Sequence, residues 1–164
     1  MTAAATRFRL TLVFAAMTLF VIALSLPSSL REAFERGGLY LFSREFLEHI
    51  PRRLTGPGRF RFLIQPTIAA VLGVAAGRSD AAAGKPPYLY AFFFHRKDRG
   101  ELVRSSVESI ANLILMGILL DSVCQWLILG ASYPGAALVV GPVLIAVPYA
   151  VARSLSNRIA RVRR

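Results

Sequence analysis

Residues 107–130 read VESIANLILMGILLDSVCQWLILG, twenty-four positions in which only Glu108 and Asp121 carry charge. A bilayer core of about 30 Å takes about 20 helical residues at about 1.5 Å rise each, with about 17 as a floor, so this stretch is long enough to cross. A soluble core would disperse its apolar residues at helix or strand period instead of running them together. Working outward, Ala136 to Ala152 and Leu10 to Leu26 each supply seventeen further residues without charge. The chain of 164 residues is 55% apolar, so its length and composition describe one integral membrane domain rather than a water-soluble one.

A fourth block, Phe62 to Gly77, has sixteen uncharged residues, among them Gln65, Pro66, Thr67, Gly73 and Gly77. Proline suits the first helical position and glycine the position after the last, so a helix over 66–83 is expected, begun by Pro66 and ended near Gly84. Arg78 and Asp80 in its last third favour a half-inserted or re-entrant segment. The expected fold is an all-α polytopic bundle of three spans plus this partial helix, with four spans as the alternative. The long helix covers 101–130, its spanning part 107–130, and a basic tail covers 153–164.

Between the first two blocks, Phe42, Phe46, Ile50 and Leu54 recur every fourth residue, while Arg44, Glu45, Glu48, Arg52 and Arg53 fall elsewhere on the wheel. That pattern predicts an amphipathic helix over 39–54 lying in the membrane plane. Ahead of it, Ser29 and Glu32 stand at capping-box spacing and predict a short helix ended by Gly37 and Gly38. The run Leu10 to Leu26 follows Arg7 and Arg9 as a signal peptide would. No convincing small-x-small cleavage site stands before Arg31, so it reads as an uncleaved span.

The chain has 20 Lys and Arg against 9 Asp and Glu, a formal charge of +11. These bases flank apolar blocks, where membrane orientation and anionic headgroups call for them, so nucleic acid is not an expected partner. The turn from Ala131 to Gly135 is uncharged and the tail after the last span holds five arginines, which places the C-terminus in the cytoplasm by the positive-inside rule. With three spans, eighteen of the twenty basic residues lie inside and only Arg7 and Arg9 outside; with four, the seven arginines from Arg31 to Arg61 lie outside. Arg96, Lys97, Arg99, Arg153, Arg158 and Arg161 are the candidate lipid-headgroup residues, the first three following the aromatic run Tyr88 to Phe94 at an interface.

Asp121 is the residue most in need of a role. Nine residues from Gly130, it lies about 13 Å along the helix from that end, where an acid costs about 2.5 to 3.5 kcal/mol. Gly117, Asp121 and Gln125 form one stripe at four-residue steps, and Tyr149 sits at matching depth on the last helix. Pro148 leaves the Leu144 carbonyl without its helical donor. A protonated Asp121 is therefore expected to donate to that carbonyl or to the Tyr149 hydroxyl, as polar glue between helices or as a proton or cation relay. Ala69, Gly73 and Gly77 form a small-residue stripe suited to close helix packing within the chain or to self-association.

Chemistry is otherwise sparse. Cys124 is the one cysteine and reads as a small buried apolar residue. His49 and His95 are isolated, no ligand spacing or nucleophile motif accompanies them, and neither metal nor cofactor is expected. The run Arg61-Phe62-Leu63-Ile64-Gln65-Pro66, with Ala83-Gly84-Lys85-Pro86-Pro87-Tyr88, Gly100-Glu101-Leu102, Leu120-Asp121 and Gln125, resembles a family of short bacterial inner-membrane proteins of uncharacterised function. The resemblance covers about residues 60 to 160 and implies that compartment, with no activity attached. The expected function is a non-enzymatic accessory or scaffold subunit that binds anionic lipid and a membrane-protein partner or a second copy of itself. A small homo-oligomeric channel or proton-coupled carrier using Asp121 is the alternative, and a lipid-modifying enzyme would need a reactive constellation that the interface does not offer.

Overall fold

A computed structural model describes residues 3–38 and 40–162, apart from the side chains of residues 3–7, Glu32, Arg36 and Asp98. Among the described residues every regular element is helical. They are α1 (Ala3–Arg36), a 3₁₀ turn (Tyr40–Phe42), α2 (Arg44–Thr55), α3 (Arg61–Ala82), α4 (Tyr88–Phe94), a second 3₁₀ turn (Arg96–Asp98), α5 (Arg99–Leu129) and α6 (Pro134–Val162). Four of them, α1 over Phe8–Glu35, α3, α5 and α6, are long and apolar enough to cross a membrane. Leu39, Arg163 and Arg164, which the sequence reading assigned to the amphipathic helix and the basic tail, lie outside the described residues.

Two local expectations are corrected. No break follows Leu26: α1 runs on through Pro27, and Ser29, expected to cap a new helix, is an interior position whose hydroxyl donates to the Ser132 carbonyl at 2.8 Å. The Glu32 side chain of that proposed capping box is outside the described residues. Near the proline, the Ser25 hydroxyl donates to the Val21 carbonyl at 2.8 Å and that of Ser28 to the Ser25 carbonyl at 3.0 Å. The second correction concerns α3, which begins at Arg61 rather than Pro66. Gly58, at φ +75°, turns the chain, and the Arg61 and Phe62 amides bond the Gly58 and Arg59 carbonyls, so the helix is already started when the proline arrives. At its other end Gly84, at φ +72°, closes it with the Lys85 amide on the Asp80 carbonyl at 2.9 Å.

The chain divides into two compact units. The first holds residues 1–62 and 114–143, the second residues 63–113 and 144–164, so α5 and α6 each contribute to both.

In the first unit, α1 and α5 run in the same direction, with Thr18 Oγ1 donating to the Leu115 carbonyl at 3.3 Å and Ser29 reaching Ser132 further on. Beyond the turn at Gly130, α6 folds back on α5 as a hairpin. Gly141 there packs so closely on Gly117 and Ile118 that a β-carbon would stand 2.9 Å from the Ile118 nitrogen. Tyr40 and Tyr133 stack with centroids 3.7 Å apart and form a small core with Ala136, flanked by Leu41, Phe46 and Leu129. Gly56 and Gly58, between α2 and α3, lie against Ile128 and Cys124.

In the second unit, α3 and α6 run in the same direction. Every fourth residue of α3 from Gln65 to Gly77 is buried and none between them is. Gly73 meets the backbone at Tyr149 and Arg153, and Gly77 meets Arg153 and Ser156 one turn on. A side chain at either glycine would occupy the space of α6 backbone, which is the close approach that small residues permit.

Candidate functional site

Each unit encloses one polar centre. In the first, Asp121 of α5 is 2% exposed, with one hydrogen-bond donor and two guanidiniums beside it. Arg61 Nη2 is 2.9 Å from Oδ1; Gln125 Nε2 is 2.5 Å and Arg53 Nη1 3.6 Å from Oδ2. The positioning is local in origin. Gln125 is one helical turn beyond Asp121, Arg61 opens α3, and Arg53 closes α2, a helix whose Ser43 cap accepts from the Phe46 amide at 3.2 Å. Gln125 Oε1 in turn accepts the Tyr133 amide at 2.8 Å, so the far end of α5 is tied to the turn that follows it.

Around the arginines stand rings. Arg53 lies 5.2 Å from the Phe46 centroid and 5.7 Å from that of Tyr40, and Arg61 lies 4.7 Å from that of Phe62. The Tyr40 hydroxyl is 2.9 Å from His49 Nδ1 and accepts from Arg53 Nη2 at 3.5 Å. Burial pushes the Tyr40 phenol above its ordinary value, with the neighbouring Arg53 guanidinium pulling the other way.

The second unit centres on Arg153. Its Nε and Nη2 donate to the two oxygens of Asp80 at 2.6 and 3.1 Å, its Nη1 to the Ser106 and Tyr149 hydroxyls at 3.1 and 3.2 Å, and Nη2 also to Ser105 at 3.1 Å. The Ser106 hydroxyl donates to Tyr88, whose ring lies 4.8 Å from the guanidinium. This is the bidentate fork that a buried arginine and carboxylate need to offset their desolvation. Nearby, Asn157 Nδ2 donates to the Lys85 carbonyl at 3.1 Å, and Arg161 donates to the Gly84 and Lys85 carbonyls beyond the end of α3.

Of the expected polar stripe, Gly117, Asp121 and Gln125 lie in the first unit, where Gly117 is packed on Gly141. Tyr149 belongs to the second, where its hydroxyl accepts from Arg153. The donor role expected of a protonated Asp121 is not what the geometry shows: Oδ2 accepts from the Gln125 amide, and two guanidiniums stand beside the carboxyl as ion-pair partners. Among the expected headgroup residues, Arg96, Lys97 and Arg158 are exposed, and Arg99 donates to the Phe92 and Phe93 carbonyls at the end of α4. Arg153 is a correction, being 4% exposed and turned inward to Asp80 because that buried acid requires a partner. The sequence reading missed Arg53 and Arg61 as partners of Asp121, and Asp80 as the partner of Arg153. The one available signal was Asp121 itself, an acid in a long apolar run with no base near it in sequence. Comparison with known proteins returns no match among protein families, curated proteins or solved structures.

Proposed function

We propose that the chain crosses the bacterial inner membrane four times with both ends in the cytoplasm, and serves as a non-enzymatic subunit that holds anionic lipid and docks on a membrane partner. The direction of the helices carries the topology. Helices α1 and α5 point the same way, and two such helices can both cross only if one crossing lies between them; α3 is the long apolar helix there. This favours four spans over the three-span arrangement. Thirteen of the twenty basic residues then fall on the cytoplasmic side. Of the seven on the other side, Arg31 pairs with Glu35, Arg44 with Glu48, and Arg53 and Arg61 with Asp121.

The surface supports lipid contact. Phe42, Leu47 and Leu54 are exposed on and beside α2 together with the charged Arg44, Glu48 and Arg52, a mixed surface suited to the membrane interface. In the second unit a groove of about 540 Å³ is lined by Val74, Ala152, Leu155 and Ile159 with Arg78, walls for an acyl chain and a cation for an acidic headgroup. A homo-oligomeric channel or carrier built on Asp121 is the second reading, favoured by the ionic centre buried on a helix long enough to cross. Two guanidiniums beside the acid suit an anion better than a proton or cation.

The topology test is side-specific labelling of single cysteines at residues 57, 97 and 160 in a Cys124→Ser background. Residues 97 and 160 are expected to share a side opposite to residue 57; residues 57 and 97 on one side would return α3 to a partial helix. Native mass spectrometry of the gently extracted protein then separates the two functional readings, a foreign subunit supporting the accessory role and a closed homo-oligomer the channel.

A further inference from the structure

The centre around Asp121 holds more positive charge than it can satisfy. The Arg53 and Arg61 side chains are 3% and 4% exposed, and both converge on one carboxyl that Gln125 also occupies. Arg53 Nε and Nη1 and Arg61 Nε, Nη1 and Nη2 are buried without a hydrogen-bond acceptor, and Asp121 Oδ1, although 2.9 Å from Arg61 Nη2, is without a hydrogen-bond donor. The rings of Phe46, Tyr40 and Phe62 cover guanidinium faces, but the N–H groups point out from the edges and need acceptors in the plane. Glu45 of α2 is 38% exposed and stands 3.9 Å from His49 Nε2, and Glu48 of the same helix is exposed and paired with Arg44. Even with Asp121 fully charged, two guanidiniums and one carboxylate leave a single positive charge in excess. Buried donors and charges in proteins are almost always matched.

We infer that Arg53 and Arg61 together bind a singly charged phosphate group. Arg61 offers its whole fork and Arg53 its Nε and Nη1 donors, and a tetrahedral oxyanion has acceptor oxygens for both side chains. The charge fits as well, since dihydrogen phosphate and the phosphodiester of an acidic phospholipid each carry the one negative charge that the centre lacks. In its lipid form the inference rests on the lipid-binding reading and gives it a location; as a free ion it stands apart from that reading.

The test is thermal unfolding of the full chain in a neutral detergent, titrated with inorganic phosphate against chloride at matched ionic strength, and with phosphatidylglycerol against phosphatidylcholine. Stabilisation by phosphate identifies the free ion, and stabilisation by phosphatidylglycerol alone identifies the headgroup. Arg53→Gln and Arg61→Gln are expected to weaken binding about ten- to a hundredfold, the value of charge-assisted hydrogen bonds, while exposed Arg59→Gln leaves it unchanged. Asp121→Asn removes the competing acid and keeps both forks, so it should bind more tightly and regain stability on adding the ligand. A wild type for which phosphate acts no better than chloride and phosphatidylglycerol no better than phosphatidylcholine overturns the proposal. So does an Arg61→Gln or Asp121→Asn response equal to wild type. If Arg61→Gln loses the thermal response but retains phosphatidylglycerol by native mass spectrometry, lipid is held elsewhere as well, and the site still stands. Lipid retention with no thermal response in the wild type sinks the site and leaves the lipid reading.

Discussion

Arg61 and Asp121, sixty residues apart in sequence, meet at 2.9 Å with both side chains at most 4% exposed. The pair joins the first turn of α3 to the last third of α5, and Arg53 approaches the same acid from α2. Removing one member of such a pair strands the others.

Asp121→Asn without added ligand is expected to lower stability by about 3 to 5 kcal/mol, the cost of breaking a buried ion pair. Adding Arg61→Gln should return part of that loss. A double-mutant cycle read by thermal unfolding in detergent measures the coupling, and additive losses would mean that the two side chains do not interact.

Arg153→Lys keeps the charge but not the fork that spans both oxygens of Asp80. A loss of about 1.5 to 3 kcal/mol is expected, in line with hydrogen bonds to charged groups. Unchanged unfolding would show that charge alone suffices there.

Glycine substitutions should divide by position. Gly77→Ala would place a methyl on the Arg153 carbonyl and the Ser156 hydroxyl and is expected to cost about 1 to 3 kcal/mol by overpacking. Gly100→Ala, in α5 with nothing near, should stabilise by about 0.4 to 1 kcal/mol. Equal effects on melting temperature would contradict the close approach of α3 and α6.

Tyr40 gives a pH dependence. Its phenol holds its proton to a higher pH in the folded chain than in the unfolded one, so its contribution is complete below the ordinary value of about 10 and fades as pH rises through the folded value. Melting temperature should fall more steeply above pH 10 in the wild type than in Tyr40→Phe, and parallel curves would refute the assignment.

The helical class was legible because crossing a bilayer leaves its mark in uninterrupted apolar length, and Asp121 drew notice because an acid there is costly. Gln125 was legible too, since a step of four residues places it beside Asp121. What hydropathy does not encode is lateral pairing. Asp80 and Arg153 are 73 residues apart, and each looked like an interface charge at the end of its own apolar block. Arg61 read as a flank for the same reason. The start of α3 was misplaced because Pro66 resembles a first helical residue, whereas the turn at Gly58 begins the helix earlier.

Gly58 rests directly on the thiol of Cys124, the chain's single cysteine. The protein thereby carries its own reporter. That thiol is buried, so the ratio of its alkylation rate in the folded and denatured protein measures how often its surroundings, Gly58 among them, open, with no label added and no residue changed.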